Sequence, residues 1–258
     1  MRLSITTELD YALAAPTDVI LQIEAAAIPE QLIEHAHIDL PQVEHFARLP
    51  AHDAIGDRIF LRTEGDLRVR YEATIDIRRL DREIEHLSAL APHDLPAETV
   101  EYLLPSRYCP SDEFMALVEA DFGDTSGGAR IAAMRDWVAS SISYQPGSSN
   151  AGTDAMETFV SRCGVCRDFA HLLVTLARAS AIPARFASVY APDVRPQDFH
   201  AVAEVFLDGA WYVVDATGMA SAQDIAKIGV GRDAADVSFL TSYGPAEMRA
   251  QTISVAAL

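Results

Sequence analysis

Between Leu67 and Ile77 the chain alternates without a break, with Leu67, Val69, Tyr71, Ala73, Ile75 and Ile77 separated by Arg68, Arg70, Glu72, Thr74 and Asp76. A period of two places the first six on one face of a strand and the polar residues on the other, which calls for a sheet with one buried and one solvated face. Leu3, Ile5 and Thr7 repeat the pattern, and short apolar runs follow at Val19–Ile23 and Ile59–Arg62. Turn residues at Ala15-Pro16-Thr17, Ala54-Ile55-Gly56-Asp57 and Glu64-Gly65-Asp66 divide these runs. Residues 1–80 therefore read as a β-rich domain, a sandwich or barrel of short antiparallel strands. Its histidines, His35, His37, His45 and His52, share no ligand spacing and read as surface residues, not as a metal cluster.

Residues 81–110 are first charged and then proline-rich (Pro92, Pro96, Pro105), the composition of a linker. From Ser111 the period changes to that of helices. Ser111–Ala120 opens on Ser111 as an N-cap, with Asp112 and Glu113 in the first turn. Ala129–Ile142 carries the stripe Ile131, Met134, Val138 and Ile142, and Thr153–Val160 is a short helix with Thr153 as cap and Met156, Phe159 and Val160 inward. The helix after Cys166 repeats apolar residues at Phe169, Leu172, Leu173, Leu176 and Ala177 and must end before Pro183. Ala184–Ala191, His200–Leu207 and Ala210–Asp215 read as strands, the last two joined by Asp208-Gly209, a strong hairpin signal. Gly229–Asp233 reads as a loop and Gln251–Val255 as a final strand. The expected fold is α+β: helices packed on an antiparallel sheet over residues 111–258, preceded by the β domain.

The formal charge is −18, from 38 acids against 20 Lys and Arg. Such a surface repels phosphate backbones and anionic lipid, so nucleic acid and membranes are not expected partners, and a basic or neutral substrate is favoured. Glu8, Asp10 and Asp18 interrupt any apolar leader after Met1, and no run is long enough to span a bilayer. Three cysteines cannot all pair, which points to a reducing cytoplasm. No calcium loop stands near the helical part, and no cofactor or metal is expected.

The chemistry centres on Cys166. Most single cysteines are buried structural residues, but this one follows Gly164, precedes Arg167 and falls at a helix start, where backbone N–H groups and a cation favour the nucleophilic thiolate. Cys163 and Cys166 also form a CxxC pair, but no second pair completes a zinc site and no strand-first redox setting surrounds it. If Asp208-Gly209 is a two-residue turn, Leu207 faces Ala210 and Val202 faces Asp215, which makes His200 and Asp215 diagonal neighbours on one face. A slip of one residue would separate them. Cys166, His200 and Asp215 are the candidate catalytic residues. Asp168 suits helix-dipole stabilisation. Tyr144 and Tyr190 are open alternatives for a second oxyanion donor beside the Cys166 backbone N–H, and both can equally be core tyrosines.

The stretch Gly164–His171, then His200-Ala201-Val202-Ala203-Glu204-Val205, then Asp208–Thr217, resembles the transglutaminase-like superfamily of papain-type cysteine enzymes, in its bacterial branch with an N-terminal β domain. Tyr144–Gly147 and Gly231–Asp236 extend the likeness to roughly Trp137–Asp236. The resemblance implies a papain-like core with Cys166 as nucleophile, His200 as general base and acid, and Asp215 orienting His200. It implies a peptide or protein amide as substrate, attacked through a thioester. Water, an amine acceptor, or a non-enzymatic binding role for the fold all stay open. Val202 departs from the Trp that many relatives carry there.

Overall fold

The computed structural model describes residues 1–79 and 82–258. In chain order the elements are β1 (Arg2–Leu21), β2 (Gln31–Asp39), β3 (His45–Pro50), β4 (Asp57–Ile77), α1 (Met115–Phe122), α2 (Gly127–Ser141), β5 (Ser143–Tyr144), α3 (Ala155–Ser161), β6 (Cys163–Gly164), α4 (Cys166–Ala179), β7 (Ala184–Tyr190), β8 (His200–Leu207), β9 (Ala210–Val214), β10 (Ala226–Gly231), β11 (Leu240–Ser242) and β12 (Ala246–Ala257). This is a mixed α+β architecture of two antiparallel sheets with helices on the second.

β1 and β4 are long partners that run through the turn signals at Ala15-Pro16-Thr17 and Glu64-Gly65-Asp66. Leu13 pairs Gly65 and Thr17 pairs Thr63, so the β1 side accommodates two extra residues as a bulge. Pro16, which has no N–H to give a ladder, sits in that bulge, and Gly65 takes a positive φ of 74°. The bulge divides the sheet into two halves that share β1 and β4. Toward the β1 N-terminus the flanking strands are β12 and β2; beyond the bulge they are β11 and β3. Leu3, Ile5, Leu9, Leu67, Val69, Tyr71 and Ile75 fill the inner face, while Arg70 pairs with Glu8 and Glu72 outside. His35, His37 and His45 are exposed, and His52 lies 3.4 Å from Glu101.

The second sheet has the order β10-β7-β8-β9. α4 packs on it, and Phe169, Leu172, Leu173, Leu176 and Ala177 share one apolar core with Ile131, Met134 and Val138 of α2 and with Ala203, Val205 and Leu207 of β8. Short connections fix the geometry. Asp208 (φ 45°) and Gly209 (φ 78°) make the two-residue turn, and the ladder runs Leu207 to Ala210 and Ala203 to Val214, the register that this turn dictates.

Five expectations need correction. The C-terminal unit does not extend to residue 258, because β11 and β12 return to pair with β1 in the first sheet. The boundary expected at residues 80 and 81 lies outside the described residues, but residues 82–110 are no loose linker. Ile84, Leu87, Tyr102 and Cys109 are buried along a series of 3-10 turns. Val160 of α3 is exposed, not inward, and Asp154 caps that helix by accepting from the Glu157 N–H. Gly229-Val230-Gly231 lies inside β10, since the absence of side chains at 229 and 231 lets the strand run close under Gln22 and Asp236.

On the face away from α4, β7, β8 and β10 carry a buried ion network. Glu204 accepts from Arg185 Nε at 2.8 Å and pairs with Lys227 Nζ at 2.5 Å. Lys227 also reaches Glu30, which accepts from Arg79, and Arg185 reaches Asp53. Burial pushes the Glu204 carboxyl up, but the two cations outweigh it and bring it down to about 2. Replacing Glu204 by Gln leaves Arg185 and Lys227 without their buried counter-charge, and the expected loss is about 3–5 kcal/mol in urea unfolding at pH 7. With an ordinary carboxyl value of 4.5, Glu204 contributes fully above pH 4.5 and progressively less as pH falls through about 2. The difference in unfolding free energy between wild type and Glu204→Gln therefore narrows over that acid window.

Candidate active site

The position of Cys166 is set by the backbone pairing of the residues just before it. β5 and β6 form a parallel bridge, Ser143 to Cys163 and Tyr144 to Gly164, extended by Gln145 N–H donating to Gly164 O at 2.8 Å. Val165 then caps α4, and Cys166 is its first residue. The Asp168 side chain turns back to accept from the Val165 N–H at 2.8 Å, so this carboxylate secures the helix start and is fully buried. Gly164 is required by that closure, because a Cβ there would lie 2.7 Å from the Asp168 Cβ.

His200 opens β8 and Asp215 follows β9. Their side chains meet, Nε2 to Oδ2, at 2.9 Å. The carboxylate is held from all sides: Oδ1 accepts from the Thr217 N–H at 2.8 Å, Oδ2 from the Ala220 N–H at 2.9 Å, and the Thr217 hydroxyl bonds it as well. These bonds offset the burial that would raise the Asp215 carboxyl and keep it below its ordinary value. The other imidazole nitrogen of His200, Nδ1, is buried without another partner on the side of Cys166. Burial disfavours the imidazolium, yet the bond to Asp215 and the adjacent Cys166 sulfur outweigh it and raise His200 to about 9. Thiol, imidazole and carboxylate thus stand in series, with Cys166 and His200 lining one cleft of roughly 440 Å³ together with Phe186, Phe199, Val237 and Phe239.

The two tyrosines separate. Tyr190 is a core residue: it accepts from Thr7 Oγ1 and donates to Ile23 O inside the first sheet. Tyr144 stands at the site, its ring 5.9 Å from that of Phe169. Burial, and then the neighbouring Cys166, push its phenol up to about 12. Cys109 is buried under His171, its thiol donating to the His171 carbonyl, and burial pushes it up to about 12. Cys163 is half-buried and free.

Sequence reasoning passed over several supporting residues. Thr217 and Ala220 hold Asp215; an Asp followed two residues later by Thr is a signal for such local bonding. His171 accepts from the Ala234 N–H at 3.1 Å, stacks on Tyr108 at 5.0 Å and is driven well below its ordinary value by burial, so it is a neutral structural imidazole. The Gly231–Asp236 loop is closed by Arg232 on Asp236 and holds Tyr108 through Asp233.

Residues 115–216 match the transglutaminase-like superfamily. The whole chain superposes on the crystal structure of a candidate cysteine protease from Cytophaga hutchinsonii with a TM-score of 0.93 and 31% identity, covering 100% of this chain and 91% of that one. The chain belongs to the transglutaminase-like superfamily. An uncharacterized protein of Mycobacterium leprae (strain TN) is 26% identical over 147 residues, 54% of this chain and 53% of that protein, so the chain spans about half the length of that curated relative. The periplasmic domain of TgpA from Pseudomonas aeruginosa bound to ethylmercury is more distant, with a TM-score of 0.43 and 18% identity over 84% of this chain and 78% of that one.

Because His200 keeps its proton to about pH 9 beside the sulfur, alkylation of Cys166 by iodoacetamide is expected to proceed at pH 6 in the wild type. In His200→Ala it is expected to fall away below the ordinary thiol range near 8.5. Identical pH–rate profiles for the two proteins would show that the imidazole does not serve the thiol.

Proposed function

We propose that the chain is a cysteine hydrolase of peptide or related amide bonds, with Cys166 as nucleophile, His200 as general base and acid, and Asp215 as the group that orients His200. The observation that carries this reading is the 2.9 Å His200–Asp215 bond, with the free Nδ1 of the same ring on the Cys166 side. Membership of the superfamily supports an activity of the cysteine-hydrolase or transglutaminase kind.

In this mechanism the Cys166 thiolate attacks the amide carbonyl carbon, and the C=O electron pair moves onto oxygen. The Cys166 backbone N–H and the hydroxyl of Tyr144, which the pairing with Gly164 brings beside Cys166, are the two donors for that oxyanion. As the C–N bond breaks, the His200 imidazolium gives its proton to the leaving amine, and a thioester on Cys166 remains. His200, now neutral, takes a proton from water, which attacks the thioester; the thiolate leaves and the imidazolium is restored. Asp215 keeps its charge throughout and holds the ring with Nδ1 toward sulfur. An amine in place of that water would give acyl transfer by the same steps.

Incubating the protein with a peptide and amide library, with and without an added primary amine, and reading the products by mass spectrometry separates the outcomes. Hydrolysis that persists with the amine present, and that Cys166→Ala abolishes, is expected. Amine-coupled products would make acyl transfer the main reaction, and an unchanged library would favour a binding role. Tyr144→Phe is expected to lower kcat by about 10²–10³-fold with a smaller effect on KM, the cost of one oxyanion donor; an unchanged kcat would remove Tyr144 from the mechanism.

A further inference from the structure

The chain carries 38 acids against 20 Lys and Arg, yet the residues lining the Cys166 cleft include no carboxylate among the described ones and two arginines, Arg107 and Arg167. Both guanidinium groups stand against a single ring, with their carbons 4.9 and 6.0 Å from the Tyr108 centroid. That ring cannot move aside. Its backbone N–H donates to Asp233 at 3.0 Å, its hydroxyl donates to Ala151 O at 2.8 Å, and the ring stacks on His171 at 5.0 Å.

Neither cation is fully spent within the protein. Arg167 donates through Nη2 to Asn150 O and lies 3.6 Å from Asp168 Oδ1, but its Nε is buried without a partner. Asp168 Oδ2 accepts from the Val165 N–H while its Oδ1 faces Arg167 without another partner, and the Asp233 oxygens are taken by the Tyr108 and Ala235 amides. Arg107 is exposed and makes no ion pair among the described residues. Two like charges on one rigid platform repel each other, and a bound carboxylate relieves the repulsion while meeting the planar donor forks of both groups. The same cleft is lined by Phe199, which stacks on Phe239 at 4.8 Å, and by Phe186 and Val237. Asp198, an acid toward the Tyr144 side, is bonded to the Phe199 N–H and to Gln251.

Building on the cysteine-nucleophile reading, we propose that the cleft selects an acidic peptide: an amide substrate with a carboxylate next to the scissile bond, held by Arg107 and Arg167, and an apolar side chain against Phe199 and Phe239. The overall acidic charge suggests a basic or neutral substrate; the local charge of the cleft reverses that expectation, because at short range the nearest charges outweigh a screened distant surface.

The test uses two reagents that differ in charge. Cys166 is alkylated by iodoacetate and by iodoacetamide in the wild type, Arg107→Gln and Arg107→Glu, and the ratio of the two rates cancels any change in the thiol itself. The ratio is expected to fall about fivefold in Arg107→Gln, further in Arg107→Glu, and to shrink in the wild type at 1 M salt. In parallel, matched peptide amides with Glu, Gln or Lys next to the scissile bond are expected to be cleaved in the order Glu, Gln, Lys, with Arg107→Glu reversing that order. Failure of both reagents to label a folded wild type overturns the nucleophile reading and this proposal with it. Labelling and cleavage that proceed with an unchanged ratio and no preference for Glu overturn the acidic-substrate proposal alone.

Discussion

The buried contact between Glu204 and the two cations that flank it holds the molecule's parts together. Glu204 sits in the middle of β8, Arg185 in β7 and Lys227 in β10, so one carboxylate ties three strands of the second sheet. The network then leaves that sheet: Lys227 pairs with Glu30, Arg185 with Asp53, and Tyr102 donates to the same Asp53 oxygen. Segments before β4, after β4 and within the C-terminal half thus meet at one set of charges. Removing ions from water is costly, and here the cost is offset only because each group has several partners at once. The surrounding chain is thereby committed to a single arrangement.

That commitment matters for the site because His200 and Asp215 come from adjacent strands of the same sheet. Their meeting depends on register, and register depends on Asp208-Gly209 adopting positive φ at both positions. Glu204 lies between the turn and His200 on β8. Its pairing with Arg185, the residue directly opposite on β7, locks the other edge of the same strand. A one-residue slip would therefore cost both the turn and the ion network, and this coupling fixes an imidazole and a carboxylate to within a hydrogen bond.

Much of this was legible in the sequence, and the parts that were not have physical reasons. The Leu67–Ile77 alternation, the α4 stripe and the Asp208-Gly209 turn are local signals whose periods survive folding, and from them the antiparallel sheet, the helix that begins at Cys166 and the His200–Asp215 face could all be read. Pro16 and Gly65 were misread because the residues that end a strand also make a bulge inside one. β12 was visible only as Gln251–Val255, and its partner, at the far end of the chain, cannot be inferred from local pattern. The ion network was overlooked for a similar reason: Glu204 in an apolar strand and Lys227 in another are single polar residues, and nothing local says that they meet. Tyr144 could be chosen over Tyr190 only after the β5–β6 bridge brought it to Cys166.

The first sheet also shapes the cleft. Phe239, the residue before β11, is bonded through its carbonyl to the Gln22 N–H at the end of β1, and its ring covers Phe199. Phe199 in turn rests on Tyr190, whose hydroxyl is fixed by Thr7 and Ile23 of the first sheet's core. This apolar part of the cleft lining is therefore built from both halves of the chain. The return of β11 and β12 to β1 is what closes it. Separating the two sheets would leave His200 paired with Asp215 but would strip the Phe199–Phe239 surface from the cleft. The division into a β-rich unit and a separate catalytic unit that the sequence suggests is a division of secondary structure, whereas the cleft belongs to both.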